Sequence, residues 1–145
     1  MSIDITVSFI IRLLLVFIFL RAVKHKITDY QHFSAQLQNY RLLPEPLVQA
    51  FAFLLIVVEG SLVFFLLIKD WLYPSFIAAA IFTVYALAMG ISLVRGRDDL
   101  DCGCSGPYEF RQTISWALVT RNCVLAIFAL ATALPVTSRT FYTQD

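Results

Sequence analysis

Four long apolar blocks dominate this sequence and limit what it can fold into. They cover about residues 3–23, 47–68, 73–94 and 113–134. Each is close to the ~20 residues that an α-helix needs to cross a bilayer, and in hydrocarbon a helix satisfies its own backbone hydrogen bonds. Charged residues make up 14% of the chain, against about 25% in soluble domains. We therefore predict an all-α integral membrane protein with a single domain, residues 1–145, and disfavour a soluble protein with buried helices.

The segment between the first two blocks has a different pattern. Its apolar and aromatic residues recur at helical spacing: Ile27, Tyr30, Phe33, Leu37 and Tyr40. We predict a short amphipathic helix over about residues 28–42 that lies in the membrane interface, with Thr28 as its cap and Gln31 completing a capping box. We expect the four apolar blocks to form an up-down four-helix bundle. Both termini lie on one side, and this helix lies on the other side with the loop at about 95–112.

Charged residues interrupt the apolar blocks. Arg12 falls in the first block, Glu59 in the second, and Arg121 with Asn122 in the fourth. A charge at the bilayer centre costs about 2.5–3.5 kcal/mol on insertion scales, so these groups need compensation. In one hypothesis Glu59 pairs with one or both arginines and locks the helices together. In the other, the excess positive charge holds an anion, a quinone oxygen or a transient thiolate.

The stretch "DLDCGCSGPYEF" places Cys102 and Cys104 one glycine apart in a polar loop. Two thiolates could bind a soft Cu(I) ion with further donors such as His25 and His32, or they could be unreactive thiols in a turn. The third and favoured interpretation is a redox-active dithiol. A disulfide between residues two apart closes a very small ring, and strained, exposed disulfides exchange readily.

Cys123 is the third cysteine of the chain. It lies two residues beyond Arg121, about 200° around a helix, and shares a face with Trp116 and Thr120. A lone cysteine in an apolar helix usually behaves as a small hydrophobic residue. We favour that role over a redox relay.

Two sets of residues follow a known pattern. The first half carries Arg12, Phe17, His25-Lys26, Phe33, Tyr40, Leu43-Pro44 and Glu59-Gly60. The second half carries Arg95-Gly96, Cys102-Gly103-Cys104-Ser105-Gly106, Ser115 and Arg121-Asn122. Together they resemble the MauE family of methylamine-utilization membrane proteins, within the wider DoxX-like group. Ser105 stands where that family often has an aromatic residue.

The resemblance implies a multi-pass protein of the bacterial cytoplasmic (inner) membrane that works with a thioredoxin-like partner. It implies a role in the maturation of a periplasmic enzyme such as methylamine dehydrogenase, with that enzyme's small subunit as the client. Cys102 and Cys104 would be the exchanging pair of a thiol-disulfide oxidoreductase. The residues of the intramembrane polar cluster, a candidate quinone or anion site, would be Arg12, Glu59, Arg121 and Asn122. His25 and Lys26 would lie at headgroup level.

The distribution of basic residues bears on orientation and partners. The side of the cysteine loop carries Arg21, Lys24, Lys26, Arg41, Arg95, Arg97 and Arg111, and the other side carries Lys69 and Arg139. The positive-inside rule then predicts a cytoplasmic cysteine loop, whereas a role in periplasmic maturation favours the opposite side. A net charge of +1 disfavours nucleic-acid binding. The alternative functions are a non-catalytic membrane assembly factor and a carrier of a soft metal or small anion.

Overall fold

The computed structural model describes residues 3–68, 72–97, 99, 113–134 and 136–137. Its helices are α1 (Ile5–Thr28), α2 (Tyr30–Tyr40), α3 (Glu45–Phe65), α4 (Tyr73–Val94) and α5 (Trp116–Ala131). Two short strands, β1 (Ile3–Asp4) and β2 (Val136–Thr137), pair in parallel with Ile3 opposite Val136. The predicted all-α class is confirmed.

Three of these helices, α1, α3 and α4, are long and apolar enough to cross a membrane. The fourth apolar block forms α5, which has 16 residues and is shorter than the predicted span. Many large apolar side chains point outward; Phe53 and Phe64 are each 65% exposed. Such an extensive apolar exterior is unusual for a soluble monomer and is what lipid contact requires. The chain is therefore a membrane protein with three candidate spans.

Local sequence explains where the helices begin and end. Asp29 caps α2, because its carboxylate accepts a hydrogen bond from the His32 backbone N–H at 3.3 Å. The predicted capping box of Thr28 and Gln31 is wrong: Thr28 ends α1, and its hydroxyl donates to the Lys24 carbonyl at 2.7 Å. Aspartate is among the best N-cap residues, and Asp29 directly follows the last residue of α1.

The second connection uses a left-handed residue and prolines. Arg41, with φ of +52°, ends α2, which is a common way to terminate a helix. Pro44 then occupies the N-cap of α3, where its missing N–H costs no hydrogen bond. This tight connection lays α2 against α3.

One apolar core joins the four longer helices. Phe19 of α1 stacks on Phe82 of α4 with ring centroids 5.0 Å apart, and Leu62 and Leu66 pack into the same cluster from the α3 region. Small residues at the buried contact of α4 with α5, namely Ala78, Ala79, Ala126 and Ala129, complete it. Small side chains allow helices in membranes to approach closely.

Candidate functional site

Lys26, Glu59 and Tyr85 form a buried polar cluster where α1, α3 and α4 meet. The Lys26 Nζ lies 2.5 Å from Glu59 Oε2 and 2.6 Å from the Tyr85 hydroxyl. The Tyr85 hydroxyl also donates to Glu59 Oε1. The side chains of Lys26 and Glu59 are 4% and 0% exposed, so the pair is removed from solvent and from lipid.

The partner of Glu59 is thus a lysine. The prediction that Glu59 bridges Arg12 or Arg121 is wrong, since its bonds go to Lys26 and Tyr85. The side chains of a helix tilt toward its N-terminus. The Lys26 amine therefore reaches back from the end of α1 toward Glu59, which lies near the middle of α3. The resemblance implied that Lys26 lies at headgroup level; the structure shows its side chain buried between helices, and its depth in a membrane stays a prediction.

Aromatic rings enclose the lysine. The Lys26 Nζ lies 5.1 Å from the ring centroid of Phe33 and 5.0 Å from that of Tyr85. A desolvated ammonium over an aromatic face gains about 2 kcal/mol. Phe33 comes from α2, so this short helix covers the cluster as well as connecting two long helices.

Arg12 lies away from this cluster. Its guanidinium donates to the carbonyl oxygens of Ile68, at 3.2 Å, and Thr132, at 3.3 Å. Both carbonyls follow the last turns of α3 and α5, where backbone oxygens lack helical partners and a cation is favourable. Arg12 thereby ties α1 to the ends of two other helices, which is a structural role.

A cavity of about 600 Å³ adjoins the polar cluster. Its walls come from α1, α3, α4 and α5, and its polar lining residues are Arg21, Lys26, Glu59, Tyr85, Arg121 and Asn122. The structure thus brings together three of the four residues predicted from the sequence, Glu59, Arg121 and Asn122. It adds two basic residues, so that within the described part of the chain three cations face one carboxylate.

Arg121 and Asn122 occupy different depths of this cavity. Asn122 is 1% exposed, and its Nδ2 donates to the Leu118 carbonyl at 2.9 Å. Arg121 is exposed, and among the described residues no hydrogen bond or ion pair involves it. With Arg21, which is also exposed, it lies at the mouth of the cavity.

Cys102 and Cys104 lie outside the described residues. Their segment joins α4 to α5, and Arg121 is five residues, about 7.5 Å along the axis, from the start of α5. Tyr40 of α2 packs with Ile114 and Leu118, so α2 lies at the end of α5 from which this segment departs.

Cys123 lines a different cavity. This second space, about 490 Å³, lies between α4 and α5 and also includes Trp116. The shared face predicted for Trp116 and Cys123 is consistent with that placement. Cys123 is absent from the lining of the polar cavity.

Lys26 and Tyr85 are the members of the cluster that the sequence analysis missed. A signal for Lys26 was present, because Arg12, Leu15, Phe19, Ala22 and Lys26 alternate spacings of three and four along one face of α1. Leu15 and Phe19 on that face are fully buried. A lysine that continues a buried stripe inside an apolar helix requires a buried partner. Tyr85 carries no comparable signal, since tyrosines are common in apolar helices.

Comparison with known proteins identifies the family. A family model described as methylamine utilisation protein MauE matches residues 5–135. The chain belongs to the MauE family. Methylamine utilization protein MauE of Paracoccus denitrificans is 36% identical over 124 residues, which cover 85% of this chain and 66% of the relative. The MauE of Methylorubrum extorquens is 33% identical over 133 residues, covering 90% of this chain and 71% of the relative.

A third relative extends this comparison. The MauE of Methylophilus methylotrophus is 31% identical over 129 residues, 88% of this chain and 65% of the relative. The chain thus spans about two thirds of the length of the MauE proteins it matches. No solved structure matches it significantly.

Proposed function

We propose that this MauE-family chain is a membrane thiol-disulfide redox component that acts through Cys102 and Cys104. Its partner is a thioredoxin-like protein, and its role is the maturation of a periplasmic enzyme such as methylamine dehydrogenase. The names of the relatives, methylamine utilization protein MauE, support the metabolic setting. The Cys-Gly-Cys motif supports the chemistry.

The proposed architecture follows from the four apolar helices. α1, α3, α4 and α5 cross the bacterial cytoplasmic membrane as an up-down bundle, and α2 lies in the interface. Contacts of Arg12 with the ends of α3 and α5 support opposite directions for α1 and these two helices. In this arrangement α2 and the segment with Cys102 and Cys104 share one side of the membrane.

The observation that carries the proposal is the position of the motif in the chain. Cys102 and Cys104 belong to the segment that joins α4 to α5. These two helices contribute Tyr85, Arg121 and Asn122 to the charged cavity. A cysteine pair in the segment that joins two helices lining a charged cavity favours a redox role over an inert turn.

The proposed exchange proceeds in two balanced steps. A partner thiolate attacks one sulfur of the Cys102–Cys104 disulfide, forming a mixed disulfide and releasing the other cysteine as a thiolate. The second partner thiolate then attacks the mixed disulfide at the partner's sulfur. The partner leaves as a disulfide, oxidised by two electrons, and Cys102 and Cys104 are both reduced.

Single-cysteine variants test the reverse of this exchange, which passes through the same mixed disulfide. The remaining thiolate attacks the disulfide of the oxidised partner, and the second cysteine that would release the reduced partner is missing. We expect Cys102→Ser or Cys104→Ser to accumulate a partner adduct that disappears on treatment with dithiothreitol. Non-reducing gels with mass spectrometry of the adduct measure it. Cys123→Ser, added to either single-cysteine variant, is the matched control and should leave the amount of adduct unchanged. The proposal is contradicted if neither variant yields more adduct than the Cys102→Ser/Cys104→Ser double variant.

A further inference from the structure

We propose that the charged cavity between α1, α3, α4 and α5 binds the ring of a lipid-soluble quinone. The redox part of this inference rests on the proposed function, because a pair that oxidises its partners must itself be reoxidised. The binding part rests on the cavity alone. Its size, about 600 Å³, lies within the range of about 300–1,000 Å³ typical of small-molecule sites.

The walls of the cavity suit an apolar ring. Apart from its polar residues, the cavity is lined by aliphatic and aromatic side chains, among them Phe17, Phe19 and Phe82. Phe19 and Phe82 stack on each other and are buried, so they form a fixed inner wall. A flat apolar ring gains contact area and stacking energy against such a wall.

The polar groups suit carbonyl oxygens. A quinone carries hydrogen-bond acceptors but no donors, and the cavity offers mainly donors: Arg21, Lys26, Arg121 and Asn122. Glu59, the one carboxylate among the lining residues that the structure describes, is already engaged by Lys26 and Tyr85. Arg121 makes no hydrogen bond or ion pair within the described part of the chain. An acceptor bound there would offset the cost of a guanidinium in an apolar helix.

The depth of the cavity favours a quinone over a phospholipid headgroup. Along α1 the lining runs from Leu14 to Lys26, twelve residues or about 18 Å. Leu14 lies close to the middle of α1, at a depth where hydrocarbon surrounds a spanning helix and a lipid phosphate does not reside. Leu14 and Phe17 are exposed, so a molecule dissolved in the membrane reaches the cavity sideways.

Electrons and protons balance in this assignment. Oxidation of the Cys102 and Cys104 thiols to a disulfide releases two electrons and two protons. A quinone takes up two electrons and two protons and becomes a quinol. Lys26, which is buried, and Tyr85, which is partly buried, line the cavity and carry exchangeable protons.

Equilibrium binding of ubiquinone-2 to the full chain in phosphatidylcholine nanodiscs tests the site. We expect saturable one-to-one binding, weakened about tenfold or more in Arg121→Gln, which loses a charged donor, and in Asn122→Leu, which loses an amide donor. Lys24→Gln is the matched control, since Lys24 is an exposed α1 cation outside the cavity lining. Its affinity should equal that of the unmodified chain. Thermal unfolding of each variant confirms that it is folded.

Three results would overturn the proposal: no saturable binding, equal affinity in folded Arg121→Gln and Asn122→Leu, or displacement of the quinone by phosphatidylglycerol in the nanodisc. The last would assign the cavity to an anionic lipid. The Cys102→Ser/Cys104→Ser variant separates this inference from the proposed function, because it should bind quinone normally while failing to oxidise a partner. If the chain oxidises its partner in a single turnover but binds no quinone, the quinone site is contradicted and the proposed thiol-disulfide function stands.

Discussion

Glu59→Leu is expected to destabilise the protein by about 3–5 kcal/mol, the usual cost of removing one member of a buried ion pair. Glu59 is fully buried, and Lys26 beside it is 3% exposed. The leucine would leave the Lys26 ammonium without its carboxylate, in a place that neither water nor lipid headgroups reach. The measurement is the thermal unfolding midpoint of the purified chain in detergent, together with the amount of protein in the membrane.

Two further variants show whether the pair itself causes this loss. Glu45→Leu removes an exposed carboxylate from the first turn of the same helix and should change stability by no more than about 0.5 kcal/mol. The triple variant Lys26→Met, Glu59→Leu, Tyr85→Phe replaces the cluster with apolar groups of similar size. It should recover most of the lost stability, since such replacements are often neutral or stabilising. A Glu59→Leu protein as stable as Glu45→Leu contradicts the buried cluster.

The Cys102→Ser/Cys104→Ser double variant is expected to lose oxidation of the thioredoxin-like partner completely. Client enzyme activity should fall to the level of a strain that lacks the gene. The physical reason is that serine oxygen forms no exchangeable bond with a thiol. The amount of protein in the membrane should not change, because these residues lie in a polar segment between helices. The measurement is the disulfide content of the partner, quantified by alkylation and mass spectrometry.

Cys123→Ser is the matched control for the double variant. Cys123 is exposed on α5 in a separate cavity, so its replacement should leave partner oxidation intact. Full client maturation by the double variant would support the alternative of a non-catalytic assembly factor. If the unmodified chain binds Cu(I) tightly, the double variant does not, and the unmodified chain exchanges no disulfide with the partner, the result would support the metal carrier.

The long helices were predictable because their signal is local. Each apolar block limits the backbone to a helix whatever its neighbours do, and α3 and α4 begin near the prolines that the sequence provides. The cap of α2 was misplaced by one residue, since Thr28 and Asp29 are both good caps. The point at which α1 stops decides between them.

The pairing of charges was less predictable, because it depends on how helices align in depth. Arg12 and Lys26 lie on one stripe of α1, and periodicity alone does not say which of them faces Glu59. The alignment of α1 with α3 decides this, and it places Arg12 at terminal carbonyls and Lys26 at the carboxylate. By contrast, the signal for Arg121 and Asn122 is local, because polar residues inside an apolar helix point to a polar environment, and both residues line the charged cavity.

A redox titration of Cys102 and Cys104 tests the central claim most directly. The chain, with Cys123→Ser to remove the third thiol, is equilibrated in glutathione buffers for the higher potentials and in dithiothreitol buffers for the lower ones, and each cysteine is quantified by differential alkylation. We predict that both cysteines titrate together as one two-electron couple, with a midpoint between about −120 and −270 mV, the range of exchanging pairs. Cysteines that titrate independently, or a midpoint below about −300 mV as in structural disulfides, would contradict a thiol-disulfide exchange function.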